Sequence, residues 1–267
     1  MYKLIFTTFI LAFHLFKTQA QVLAVDRENG QDSIPKKLSF SWSSGLSLDK
    51  QKSSLLEIES IEELDIFLRK NQLIILVGNT AFQTNGKSIL ENNGYFMFRL
   101  RDNDKKRVAP DYFAQYQWNG ILGLQNRSLA GVNARFKFWD KKESDLFIST
   151  GLFYEYENWN PTLSSFDFDS TVTSVSRNIL RWNNALKMAL KISENIDFAT
   201  SNYVQFPLNE KLNHILQPRW AMSSSIFFKV NKHLNIIGQF NHNLDLYRAL
   251  PIDRYYYDFN FAIQLTY

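Results

Sequence analysis

The residues able to carry acid–base, nucleophilic or metal chemistry are few and poorly placed for it. Cysteine is absent, which removes disulfides, thiolate metal sites, a cysteine nucleophile and cysteine lipid anchors. Histidine occurs four times, as His14, His214, His233 and His242. His242, in Asn241-His242-Asn243, is the one that could serve as the base of a membrane lipid hydrolase or deacylase. It has no serine partner of the same strand parity, so no catalytic residue is assigned. Asp167, Asp169 and Ser170 could offer oxygens to calcium, but they lack the spacing of a calcium loop, and a solvated loop accounts for them. With only 10 glycines, no phosphate cradle can be picked out, and no zinc spacing or nucleic-acid motif is present. The expectation is a non-enzymatic chain without cofactor or metal.

The chain carries its charges at alternate positions instead, and that points to the elements that hold them. Composition is 45% hydrophobic and 15% aromatic, which excludes disorder, collagen and coiled coil. A formal charge of +4 is too weak an excess for a nucleic-acid binder. From Leu38 onward apolar residues recur every second position. The C-terminal stretch is clearest: Tyr255, Tyr257, Phe259, Phe261, Ile263, Leu265 and Tyr267 share one parity, and Arg254, Asp258, Asn260 and Gln264 the other. Successive strand side chains point to opposite faces, so this is a strand with one apolar side.

Upstream, the apolar face falls on even numbers, as in Trp220, Met222, Ile226, Phe228 and Val230, or Leu146, Ile148, Leu152, Tyr154 and Tyr156. Leu73–Phe82 is apolar on both faces and leaves its orientation open. About 12 strands follow, many long enough for the roughly 9–11 residues that cross a bilayer as a tilted strand. Connections near residues 69–72, 140–144, 193–195 and 231–233 are short, whereas 84–93 and 157–174 are longer, the alternation of an outer-membrane barrel. Residues 102–110 break that rule. Trp42, Tyr112, Trp118, Tyr154, Tyr156, Tyr255 and Tyr257 near strand ends resemble interfacial girdles.

The opposite parity holds the charges expected to face a lumen: Glu57, Glu59, Arg101, Arg135, Glu155, Arg181, Lys187, Lys191, Asp197, Lys229, Asp245, Arg254 and Asp258. Both signs occur, so the interior is expected to be a cross-linked or hydrated network, with a structural role ahead of a selectivity filter. An acidic second strand and a basic eighth strand could set up a transverse field. Glu62 has lipid-facing parity, and a bulge at Glu62-Glu63 would relieve that conflict.

Residues 1–20 read as a cleaved secretory signal: a basic start at Lys3, an apolar run Leu4–Phe16 and a small residue at Ala20. About 13 apolar residues fall short of the roughly 20 of a transmembrane helix. Residues 21–36, polar and rich in Asp, Asn, Gln and Ser, read as a flexible segment, and 37–267 as the barrel.

The stretch Ala109–Phe138, with Ala-Pro-Asp-Tyr-Phe-Ala-Gln-Tyr-Gln-Trp-Asn followed by Gly123-Leu-Gln-Asn-Arg-Ser-Leu-Ala-Gly131, resembles the salt-induced outer-membrane protein family, domain of unknown function 481. Gly78-Asn79-Thr80 and Ser44-Gly45 only echo that family's opening element. The resemblance implies an outer-membrane β-barrel with no established activity. The ending Phe259–Tyr267 looks like the terminal-strand signal read by barrel-assembly machinery.

The sequence therefore predicts an all-β fold: a single closed antiparallel up-and-down transmembrane β-barrel, exported to the outer membrane. Its expected partners are outer-membrane lipid and lipopolysaccharide and the assembly machinery, with no nucleic acid and a monomer favoured. Envelope stress or salt response and small-solute passage are its candidate roles. The competing readings are an outer-membrane lipid-modifying enzyme and a secreted carbohydrate-binding β-sandwich, whose apolar faces would pack on each other.

Overall fold

The computed structural model describes residues 38–50, 54–68, 72–85, 88–102, 107–141, 144–163, 173–208, 217–231 and 234–265. The expected signal segment 1–20, the segment 21–36, His214, His233, Asp167, Asp169, Ser170 and Tyr267 lie outside them, as does the Asp258 side chain. The strands are β1 (Leu38–Lys50), β2 (Ser54–Leu68), β3 (Gln72–Thr84), β4 (Ile89–Arg101), β5 (Val108–Asn119), β6 (Leu124–Lys141), β7 (Ser144–Trp159), β8 (Val175–Ser193), β9 (Ile196–Pro207), β10 (Arg219–Asn231), β11 (Leu234–Asp245) and β12 (Tyr255–Leu265). They form one antiparallel up-and-down sheet in sequence order. Among the described residues, β1 and β12 are not paired with each other.

The alternation of period two fixes the faces. Phe96, Phe98, Tyr112, Tyr116, Val132, Leu152, Tyr154, Trp182 and Phe228 are exposed, and Tyr255, Tyr257, Phe259 and Phe261 continue that face on β12. Odd-numbered residues of β3 to β10 point inward except beside register shifts, where Ile89, Gln125 and Trp139 are exposed. In β3 Leu73, Ile75, Asn79 and Ala81 are buried while Leu76 is exposed, so its open orientation resolves to the common pattern. The sheet is strongly curled. Strands three apart in a flat sheet lie about 14 Å from each other, yet Arg219 of β10 reaches Glu155 of β7 at 2.9 Å. One inward residue from each of six successive strands, Phe113, Leu129, Phe153, Ala185, Tyr203 and Ala221, packs into an apolar cluster inside the curl. Phe153 leans on Gly131, where a Cβ would come within 2.4 Å of the phenylalanine's own Cβ.

Two expectations change. The 84–93 connection shrinks to residues 85–88, because Ile89 to Asn93 continue β4 and pair with β3. Glu62 needs no bulge: β2 keeps an unbroken register with both neighbours, Trp42↔Glu62 and Glu62↔Gly78. Its carboxylate instead accepts from the Ser60 hydroxyl, which accepts from Trp42 Nε1 at 3.2 Å. Gly78 leaves the room, since a Cβ there would stand 2.7 Å from Glu62 Oε2. Other outward polar groups pair sideways in the same manner. Trp182 Nε1 donates to Thr150 Oγ1 at 2.8 Å, Thr150 bonds Asn184 at 2.9 Å, and Thr200 bonds Ser224 at 2.8 Å.

Candidate functional site

The odd positions at one end of the curl bring an ionic network together. Glu155 and Glu157 lie near the end of β7, Arg127 near the start of β6, Arg177 and Arg181 in the first part of β8, Arg219 at the start of β10 and Asp245 at the end of β11. All belong to the end that carries the connections 120–123, 160–174, 208–218 and 246–254. Glu155, fully buried, accepts from Arg127 and Arg181 and from Arg219 Nη1 at 2.9 Å. Glu157, equally buried, accepts from Arg219 Nη2 at 2.8 Å, Arg177 Nε at 2.7 Å and the Trp159 indole at 3.0 Å. Arg219 closes the set by donating Nε to Asp245 Oδ2 at 2.9 Å. Its planar fork thus serves three carboxylates, a geometry that an ammonium cannot reproduce.

A cap sits over the network. Residues 246–254, between β11 and β12, fold inward so that Leu250 and Ile252 pack with Leu124 and Trp159, with Leu122 and Ala249 at the edge. Its base is tied by Asp245 N–H donating to Arg254 C=O at 2.9 Å and Leu246 N–H to Pro218 C=O at 3.2 Å. Arg177 holds its middle, donating Nη2 to the Tyr247 carbonyl at 3.0 Å with the guanidinium 4.6 Å from the Tyr247 ring centre. The β5–β6 turn that receives the cap needs glycine at Gly123, whose φ of 77° lies in the left-handed region. Asn119 Oδ1 accepts from Leu122 N–H there at 3.0 Å, and Gly123 C=O accepts from Asn160 N–H at 2.8 Å.

Between cap and network lies a cavity of about 50 Å³, lined by Arg127, Glu157, Arg219 and Asp245 of the network together with Gln117, Asn119, Arg248 and Tyr256. Burial lowers the pKa of the Arg248 guanidinium below its ordinary value. The stretch that carried the family resemblance forms one wall: Gln117, Asn119, Leu124 and Arg127 all face this space.

Of the predicted interior charges, Glu155, Arg181 and Asp245 meet in this network. Arg135 is buried elsewhere, with its guanidinium 3.7 Å from the centre of the Phe147 ring. Arg101 is buried at the end of β4. Asp197 and Lys229 pair at 2.5 Å at the opposite end of the curl, both substantially exposed. Glu57, Glu59, Lys187 and Lys191 are half-buried on the inward parity. Arg254 stands just before β12 and is exposed, so it belongs to the rim and not to the last strand's inward face. His242 has the outward parity of its strand yet is buried, with ring centres 4.5 Å from Trp220 and 4.8 Å from Tyr255. Arg127, Arg177 and Arg219 were not among the expected interior charges, although their odd numbers carry the signal.

Fold and site together define an all-β protein, one up-and-down antiparallel sheet curled around a buried ionic network. The chain belongs to the family described as Protein of unknown function, DUF481, whose model matches residues 77–256, a span that includes every member of the network and cap. No curated protein matches it. Among solved structures, the translocator domain of autotransporter NalP from Neisseria meningitidis is similar at a TM-score of 0.42 and 10% identity, over 89% of this chain and 91% of that one.

Proposed function

We propose that the chain is a closed twelve-stranded barrel of the outer membrane, a non-enzymatic envelope component whose lumen is obstructed at the loop-bearing end. Closure follows from the hydrocarbon surroundings, in which the free edges of β1 and β12 would leave backbone groups unsatisfied at several kcal/mol each. The sideways pairing of Ser60 with Glu62 and of Thr150 with Asn184 is how outward polar groups are satisfied where water is absent. The obstruction rests on one observation: Arg219 reaches from β10 to Glu155 and Glu157 on β7 beneath the Leu250–Ile252 cap. Lipid is the partner of the outer face, and neither imidazole nor hydroxyl chemistry is invoked.

Conductance across planar bilayers tests it. The reconstituted chain is expected to migrate as a heat-modifiable band and to pass little or no current, and removal of residues 247–252 is expected to raise that current. A large steady conductance from the intact chain overturns the obstruction, and a mature chain that stays soluble without detergent overturns the membrane placement.

A further inference from the structure

The network and its cap hold more positive charge than their carboxylates balance. Five guanidinium groups, those of Arg127, Arg177, Arg181, Arg219 and Arg248, meet three carboxylates, those of Glu155, Glu157 and Asp245. At the rim Asp253 and Arg254 are both exposed and act on Arg248 with opposite signs. The surplus falls on Arg248, which is half-buried at the cap, and an anion beside it would balance that charge. Hydrogen-bonding capacity is left over as well. Arg248 Nη1 and Tyr256 Oη are buried atoms without a hydrogen-bond partner among the described residues, and both residues wall the same cavity. Arg181, within the network, adds two buried amino groups without a hydrogen-bond partner among the described residues.

The cavity's size then selects the class of ligand. A water molecule needs roughly 10–15 Å³ of such space, so about 50 Å³ accommodates a few waters or one tetrahedral oxoanion. Its lining carries the donors of Arg127, Arg219, Arg248, Tyr256, Gln117 and Asn119, and the carboxylates of Glu157 and Asp245 among them are already engaged by Arg177 and Arg219. Arginine forks match oxoanion geometry. We propose that this cavity is a binding site for a small free oxoanion of the phosphate or sulfate class, held between the cap and the network.

The cavity is bounded by β5 to β7 and β10 to β12, so the inference does not depend on conductance, and its failure would leave the obstruction reading standing. Titration calorimetry on the full chain in detergent, with inorganic phosphate, sulfate and chloride at matched ionic strength, provides the test. Phosphate or sulfate is expected to bind with one-to-one stoichiometry and chloride is not. Arg248→Gln is expected to weaken phosphate at least tenfold and Tyr256→Phe several-fold, whereas Arg254→Gln, which removes an equal charge from the exposed rim, leaves it unchanged. Tyr256→Phe keeps the test informative if Arg248→Gln fails to fold. Equal effects of all three salts, equal effects of Arg248→Gln and Arg254→Gln, or no heat with phosphate because water alone fills the cavity, would each overturn the assignment.

Discussion

Arg219 and Lys229 stand on the same strand, share the inward parity and each meets a carboxylate, yet their surroundings differ completely. Arg219 is 2% exposed and its fork is divided among Glu155, Glu157 and Asp245. Lys229 meets Asp197 alone at 2.5 Å, with side chains 40% and 35% exposed. Water screens the second pair and not the first, so the same alternation of charges is a structural commitment at the capped end and ordinary surface at the other.

The contrast breaks most directly at Arg219. Arg219→Ala leaves buried carboxylates short of a partner and is expected to cost about 3–5 kcal/mol, read from urea unfolding in lipid vesicles or from loss of the heat-modifiable band. Phe153→Ala, which empties the centre of the apolar cluster beside the network, is expected to cost about 3 kcal/mol or slightly more by the same measurement. Ile252→Asp places a carboxylate in the cap's apolar contact and is expected to cost about 2 kcal/mol, the worth of a buried isoleucine, with a rise in bilayer conductance as the cap loosens. Lys229→Ala is expected to cost less than about 1 kcal/mol and to shrink further in high salt. If Lys229→Ala proved as damaging as Arg219→Ala, the distinction between the two ends would be lost.

Much of this architecture is legible in the chain. Alternation alone gives the strand number, the exposed aromatic face and the inward placement of Glu155, Arg181 and Asp245. It fails at the strand ends, where the outward residues turn polar. Asn126 and Ser128 precede the apolar run that begins at Val132, and Ser176 and Asn178 precede that of Leu180, so Arg127 and Arg177 look like loop residues although β6 and β8 already contain them. Arg219 is hidden for a related reason, as the first residue of its strand. Which strands face each other is set by curvature, and no periodicity encodes it. The ion pairs of the network join β7 to β6, β8 and β10, and β10 to β11, a set of neighbours that strand parity does not specify. The cap escapes notice because Leu250-Pro251-Ile252 has no period to betray two buried side chains.

The position of that cap also divides two tasks within the molecule. Its nine residues join β11 to β12, whereas Glu155 and Glu157 on β7 and the arginines that pair with them on β6, β8 and β10 all belong to the sheet. The sheet alone therefore places the ions, and the cap, through Leu250 and Ile252, sets how far solvent can weaken them.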